Sequence, residues 1–149
     1  MSKNTINSSK NKIKIRNCLK RDLPDIFELL QSISDYIPDE KDIDMIWNNF
    51  IEQKNLNALV LVEMNKVIGY GSIIFETKIR GGIHGHIEDI AIQKDYQNKG
   101  FGSYLIDTLI QVAKKRNCYK VSLGCDKKNI KFYKKIKFAE SGTFMQLFF

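Results

Sequence analysis

The sequence holds few of the residues from which disulfide frameworks, metal centres or membrane spans are made. Its three cysteines, Cys18, Cys118 and Cys125, are odd in number, widely spaced, and without a C-x-x-C pair. That pattern argues against a disulfide scaffold or zinc ribbon and favours a reducing, cytoplasmic setting. Only two histidines occur, His84 and His86, and no Cys/His spacing supports a metal, so no metal cofactor is expected. No stretch approaches the roughly 20 apolar residues that cross a bilayer. The first twelve residues, MSKNTINSSKNK, lack the apolar segment of a secretory signal and read as a disordered lead-in. Neither G-x-x-x-x-G-K-[ST] nor G-x-G-x-x-G appears, which argues against nucleoside-triphosphate hydrolysis and a dinucleotide fold. Repeats and low-complexity linkers are also missing.

Acidic residues are outnumbered, 17 against 24 basic, and the excess is unevenly placed. Six basic residues lie in the first twenty positions, and ten lie between Lys114 and Lys137 against one acid, Asp126. A surface of that kind attracts polyanions, whether nucleic acid or a phosphorylated small molecule, although most such clusters are simply solvated faces. The chain length of 149 residues suits one domain, 13–149, with a single real core.

Residues 13–19 alternate as a strand does. Asp22 is placed to cap a helix whose Leu23, Ile26, Phe27, Leu30 and Ile33 follow i, i+3, i+4 spacing, with Pro24 in the first turn. A second helix is expected over 39–53, bearing Ile43, Ile46, Trp47 and Phe50 on one face. A hairpin follows, turning at Asn65-Lys66. After the loop IRGGIHG come a strand over 86–92, a helix over 102–116, a strand over 119–125, a short helix over 129–136 and a terminal hairpin. This order predicts an α/β (α+β) fold: a mixed, mostly antiparallel central sheet with helices on both faces and one parallel crossover.

Two features carry chemistry. Glu88 and Asp89 stand side by side in the apolar strand HIEDIAI, where alternation sends neighbouring side chains to opposite faces. The turn QNKGFG then has Gln97, Gly100 and Gly102 in a Q-x-x-G-x-G pattern directly before a helix. Glycines allow positive φ and close backbone approach, and the helix N-terminus offers N–H groups to phosphate oxygens. The same turn is also compatible with a plain left-handed cap.

This strand, turn and helix, with an Asn and a Tyr one helix later, resemble the acetyl-CoA site of the GCN5-related N-acetyltransferase (GNAT) superfamily. GHIEDIAI, YQNKGFGSYLIDTLI, CYKVSLGCDKKNIKFYKK and GTFMQLFF are similar to the glucosamine 6-phosphate N-acetyltransferase family within it, from about Ile15 to the C-terminus. The resemblance implies the GNAT fold, acetyl-CoA as cosubstrate without a metal, and acetyl transfer to an amino-sugar phosphate. It implies coenzyme contacts from Ile90, Ala91 and Ile92, the turn Asn98, Lys99, Gly100, Phe101, Gly102 and Ser103, and Gly124, Asn129 and Tyr133. It places Glu88, Asp89 and the backbone of Ile90 at the sugar, and Ser34, Lys78, Tyr119 and Lys120 at its phosphate. Asp89 and Glu88 are the candidate groups for positioning or deprotonating the amine, and Tyr133 for the departing thiolate. Two residues depart from the family pattern: Gly124 stands where members carry an aspartate, and Phe148 where many carry an arginine reaching the neighbouring subunit's substrate. The closing TFMQLFF is apolar on both faces, and the resemblance implies a homodimer joined through this strand. Acetylation of a different amine, or acyl-CoA binding without catalysis, remain as other readings.

Overall fold

The computed structural model describes residues 7–8 and 11–149, with side chains from Ile13 onward. Asn7–Ser8 and Asn11–Lys12 pair as a two-residue antiparallel ribbon; the rest of the expected disordered lead-in, 1–6 and 9–10, lies outside the described residues.

Five strands form one sheet in chain order: β1 (Lys14–Asn17), β2 (Leu56–Glu63), β3 (Lys66–Thr77), β4 (Ile83–Ile92) and β5 (Cys118–Leu123). The first four run antiparallel and β4–β5 is parallel, closed by the crossover helix α3 (Phe101–Lys115). The other helices are α1 (Leu23–Leu30), α2 (Ile43–Ile51) and α4 (Ile130–Lys135). The predicted fold class is the one observed. No helix among the described residues is long and apolar enough to cross a membrane.

Each face of the sheet has its own core. On one, α3 turns Phe101, Leu105, Ile106, Leu109 and Ala113 onto Leu61, Ile73, Phe75 and Ile87, and the three residues Leu105, Ile106 and Leu109 are fully buried. Their i, i+1, i+4 spacing is the buried stripe of an amphipathic helix, and truncating any one to alanine would cost about 2–5 kcal/mol. On the other face, Ile26 of α1, with Trp47 and Phe50 of α2 at the margin, covers Val60, Val67 and Tyr70. No buried residue of this second cluster comes from β4. His84, His86 and Glu88, alternating on the same side of β4, have no helix over them in this cluster.

Several sequence expectations are corrected. The hairpin turns at Met64-Asn65, whose φ of 46° and 68° are those of a type I′ turn, with Glu63 paired to Lys66. Asp22 does not cap α1: its carboxylate reaches back to the Leu19 N–H (2.8 Å) and takes the Arg16 guanidinium at 2.6 and 2.8 Å. α1 ends at Leu30, so Ile33 lies beyond it and is exposed. The fourth strand begins at Ile83, inside the expected loop, and the fifth stops at Leu123, before Gly124 and Cys125. The terminal hairpin does not form. Residues 139–149 have no regular structure, and Phe144, Met145, Leu147, Phe148 and Phe149 are exposed. Alternating apolar residues make a strand only when an edge pairs with them, and among the described residues none does.

Candidate active site

The centre of the site is a break in strand pairing. Ser72 pairs with Glu88 and Tyr70 with Ala91, so Asp89 and Ile90 together oppose Gly71. This is a β-bulge, one residue inserted on β4. Asp89 takes it up with φ of 55°, a left-handed conformation that aspartate tolerates better than most residues. Neither carboxylate is enclosed by the core: Glu88 and Asp89 are both exposed. Partial burial of the Asp89 carboxyl itself raises it above the ordinary range, while Ser72 Oγ donates to the Glu88 carbonyl at 3.4 Å.

The same bend ends the parallel pairing. β4 and β5 stay in register from Ile83↔Cys118 to Ile87↔Leu123 and no further, so the two strands part beyond Ile87. The β5-facing edge of Ile90, Ala91 and Ile92 is therefore free of a strand partner among the described residues. Bordering this opening, Ile90, Ile92, Leu123, Phe132 and Tyr133 all pack on the α3 core. Tyr133 is half-buried, its ring edge-on to Phe132 (5.0 Å) and Phe138 (6.0 Å). Burial first, and Cys125 second, raise its hydroxyl above the normal range, so it holds its proton at neutral pH. Asn129 closes the turn Lys127–Asn129 that leads into α4.

From Ile92 the chain passes through the turn to α3. Gln97 Nε2 donates to the Ile92 carbonyl (3.0 Å), tying the turn back to the strand end. Asn98 and Gly100 both have positive φ, 60° and 87°. Gly100 is the N-cap of α3 and no side chain among the described residues caps the helix, nor is there an acid in its first turn. The N–H groups of Phe101, Gly102 and Ser103 are thus left for an outside acceptor, with the positive end of the helix dipole behind them. Lys99 stands beside them over the Tyr96 ring. A Cβ on Gly102 would come within 3.2 Å of Phe132 Cζ, so α4 and the start of α3 are in contact.

Lys78, Tyr119 and Lys120 also converge. The loop 78–82, closed by Lys78 N–H to the Gly82 carbonyl (3.0 Å), lies on the Tyr119 ring, and Lys120 Nζ is 5.6 Å from that ring. Lys78 is paired with Glu76 at 2.7 Å. Ser34 is not brought to this group by any hydrogen bond among the described residues; it sits on the exposed connector after α1 and accepts the Tyr36 N–H. Gly124 is exposed, with Phe144 at van der Waals distance. Sequence reasoning missed Gly71, which makes room for the bulge, and the strap from Gln97, for which the Q-x-x-G-x-G pattern was the available signal.

Comparison with known proteins bears on the family and the fold. The profile of the acetyltransferase (GNAT) family matches residues 23–138. Glucosamine 6-phosphate N-acetyltransferase 1 of Dictyostelium discoideum is 36% identical over 107 residues, covering 68% of each chain. Glucosamine 6-phosphate N-acetyltransferase of Candida albicans is 40% identical over 81 residues, 53% of this chain and 54% of that protein. The crystal structure of glucosamine-6-phosphate N-acetyltransferase from Arabidopsis thaliana superposes with a TM-score of 0.85 at 26% identity, covering 92% of this chain and 98% of the other.

Proposed function

Because the chain belongs to the acetyltransferase (GNAT) family, we propose that it acetylates the 2-amino group of D-glucosamine 6-phosphate in a ternary complex with acetyl-CoA, for UDP-N-acetylglucosamine biosynthesis. The enzyme class is an acetyl-CoA-dependent N-acetyltransferase. The observation that carries the substrate reading is the bulge at Asp89, which sets two carboxylates at the mouth of an unpaired backbone edge.

The residues present suit the coenzyme. An extended pantetheine arm needs main-chain partners, and Ile90–Ile92 offer them where β5 has turned away. A pyrophosphate needs N–H donors, and the uncapped start of α3 supplies them across 98–103. Acetyl-CoA brings a thioester that an unprotonated amine can attack. Around it, Asp89 and Glu88 orient the amine, and Asp89 accepts its proton. A carboxyl raised above its ordinary range is the better base of the two kinds available to aspartate. The protonated Tyr133 hydroxyl, together with Asn129, serves the sulfur side, where a proton is needed as the thiolate leaves. Lys78, Tyr119 and Lys120 hold the sugar phosphate, with Ser34 completing that end once the connector after α1 moves in. Gly124 lets the coenzyme pass close to the chain beyond β5.

The enzyme acts as a homodimer in this reading. A groove of about 720 Å³ runs beside β5, lined by Ile110, Cys118, Val121, Ile136 and Phe138 among lysines. The exposed apolar segment 143–149 of a second copy suits that groove and the free edge of β5. A cytoplasmic setting rests on three free cysteines. The departures at Gly124 and Phe148 favour one second reading, acetylation of a different amine. Free-thiol release from acetyl-CoA with a panel of amines separates the two. Turnover confined to glucosamine 6-phosphate supports the first, turnover with peptides or other amino sugars the second, and coenzyme binding without turnover refutes both.

A further inference from the structure

Outside the coenzyme site, one cluster of metal-ligating side chains lies on the open face of the sheet. We propose that Glu76, His84 and His86 form a binding site for a divalent transition-metal ion of the zinc class. The inference does not depend on which amine is acetylated.

The strand geometry builds the site. His84 and His86 are two apart on β4 and so share a face, and Glu76 of β3 is paired directly to His84. One donor atom from each of the three residues lies within 4.8 Å of the other two. Ligands about 2.0–2.1 Å from a tetrahedral zinc are about 3.3 Å apart, so rotamer adjustments of about 1.5 Å close the set. His86 Nε2 and Glu76 Oε2 are already at 2.9 Å.

The surroundings have the form that metal-bound imidazoles need. A ligating histidine commonly has its other ring nitrogen fixed by a neighbour. Ser122, from the adjacent β5, places its Oγ 2.8 Å from His84 Nε2 and 3.4 Å from His86 Nδ1, holding both rings. The rings stack with centroids 3.9 Å apart. His84 is buried, and its Nδ1 has no hydrogen-bond partner among the described residues. A buried imidazole nitrogen without a partner is uncommon in a settled structure. Glu76 is exposed, which leaves the cluster an entry from solvent.

One competitor is built in. Glu76 Oε2 is held by Lys78 Nζ at 2.7 Å, and a cation must displace that ammonium. The site is therefore weaker than its ligand set alone would make it, and metal loading releases Lys78 from Glu76. Linear spacing did not reveal the site, because its carboxylate comes from a different strand and only the pairing register places it.

The test is calorimetric titration of the coenzyme-free protein with zinc chloride, with the visible absorption of bound cobalt(II) as a second readout. The expected result is one ion per chain, with affinity lowered at least about tenfold in both Glu76→Gln and His86→Gln. Lys78→Met removes the competitor and should tighten binding. Glu76 is exposed, so its substitution leaves the fold standing and the result interpretable. Zinc binding that persists undiminished in both ligand variants would put the metal elsewhere, on a thiol such as Cys125, and overturn the proposal. Failure of the wild-type protein to bind zinc or cobalt would do the same.

Discussion

Gly71→Ala is the substitution that tests the bulge most sharply. Gly71 is the single β3 residue opposite Asp89 and Ile90. A Cβ built there would overlap Ile90 Cδ1 and come within 3.3 Å of Leu105 Cδ2 and 3.4 Å of Leu109 Cδ1. The Ile90 methyl is the end of a side chain and can rotate, but both leucines are fully buried and cannot move aside freely. Overpacking of this kind costs about 1–3 kcal/mol. In a domain of this size that corresponds to a fall in Tm of about 3–10 °C. Relief must come from moving Ile90, which carries the free edge and, through one peptide bond, Asp89. A displacement near 1 Å at a reacting group can cost about a hundredfold in rate, so kcat/KM should fall at least about tenfold at a temperature where the variant is fully folded. Thermal melting and thiol-release kinetics on the same preparation measure both. A Tm within about 1 °C of wild type with unchanged kcat/KM would refute the argument that Gly71 is small to accommodate the bulge.

Tyr133→Phe removes the hydroxyl proposed as proton donor while keeping the ring between Phe132 and Phe138; kcat should fall about a hundredfold with little change in the affinity for acetyl-CoA, read from steady-state kinetics and calorimetry. Asp89→Asn tests the sign of the Asp89 shift. Its folded pKa is raised, so its stabilising contribution is complete below the unfolded value and lost as pH rises through the folded one. The asparagine variant should therefore melt higher than wild type at neutral pH, lose that advantage in acid near pH 3.8, and lose activity throughout. Arg16→Ala strands the Asp22 carboxylate, which is 5% exposed and keeps the Leu19 N–H as its hydrogen-bond donor among the described residues. Burial alone would raise that carboxyl, and Arg16 with the Leu19 N–H holds it low, so the stabilisation is present above the ordinary carboxylate range and fades in acid. Urea unfolding should show a loss of about 2–4 kcal/mol at neutral pH, shrinking as pH falls.

The parts of the fold set by local pattern were legible. The buried stripe of α3, the strand before it and the glycine turn between them follow from spacing that one short window contains. What escaped was set by pairing. A bulge adds one residue to a strand without disturbing its composition, so nothing in HIEDIAI announces that Asp89 leaves the ladder; Gly71, distant in sequence, is its only mark. Asp22 has the chemistry of a cap, yet Arg16 and the Leu19 N–H offer its carboxylate a better arrangement than the first turn of α1. TFMQLFF alternates as strands do, but an edge must receive it. The cluster of Glu76 with His84 and His86 depends on the β3–β4 register. Of the residues proposed to hold the coenzyme, the turn 98–103 could be anticipated from its own sequence, whereas the free edge of Ile90–Ile92 follows from where β5 stops.

A crystal structure grown with coenzyme A tests the central claim most directly. The account predicts the pantetheine arm hydrogen-bonded along the main chain of Ile90–Ile92, the pyrophosphate on the amides of 98–103, and the sulfur near Tyr133. Coenzyme bound on another face of the sheet, with the gap between β4 and β5 empty, would contradict it.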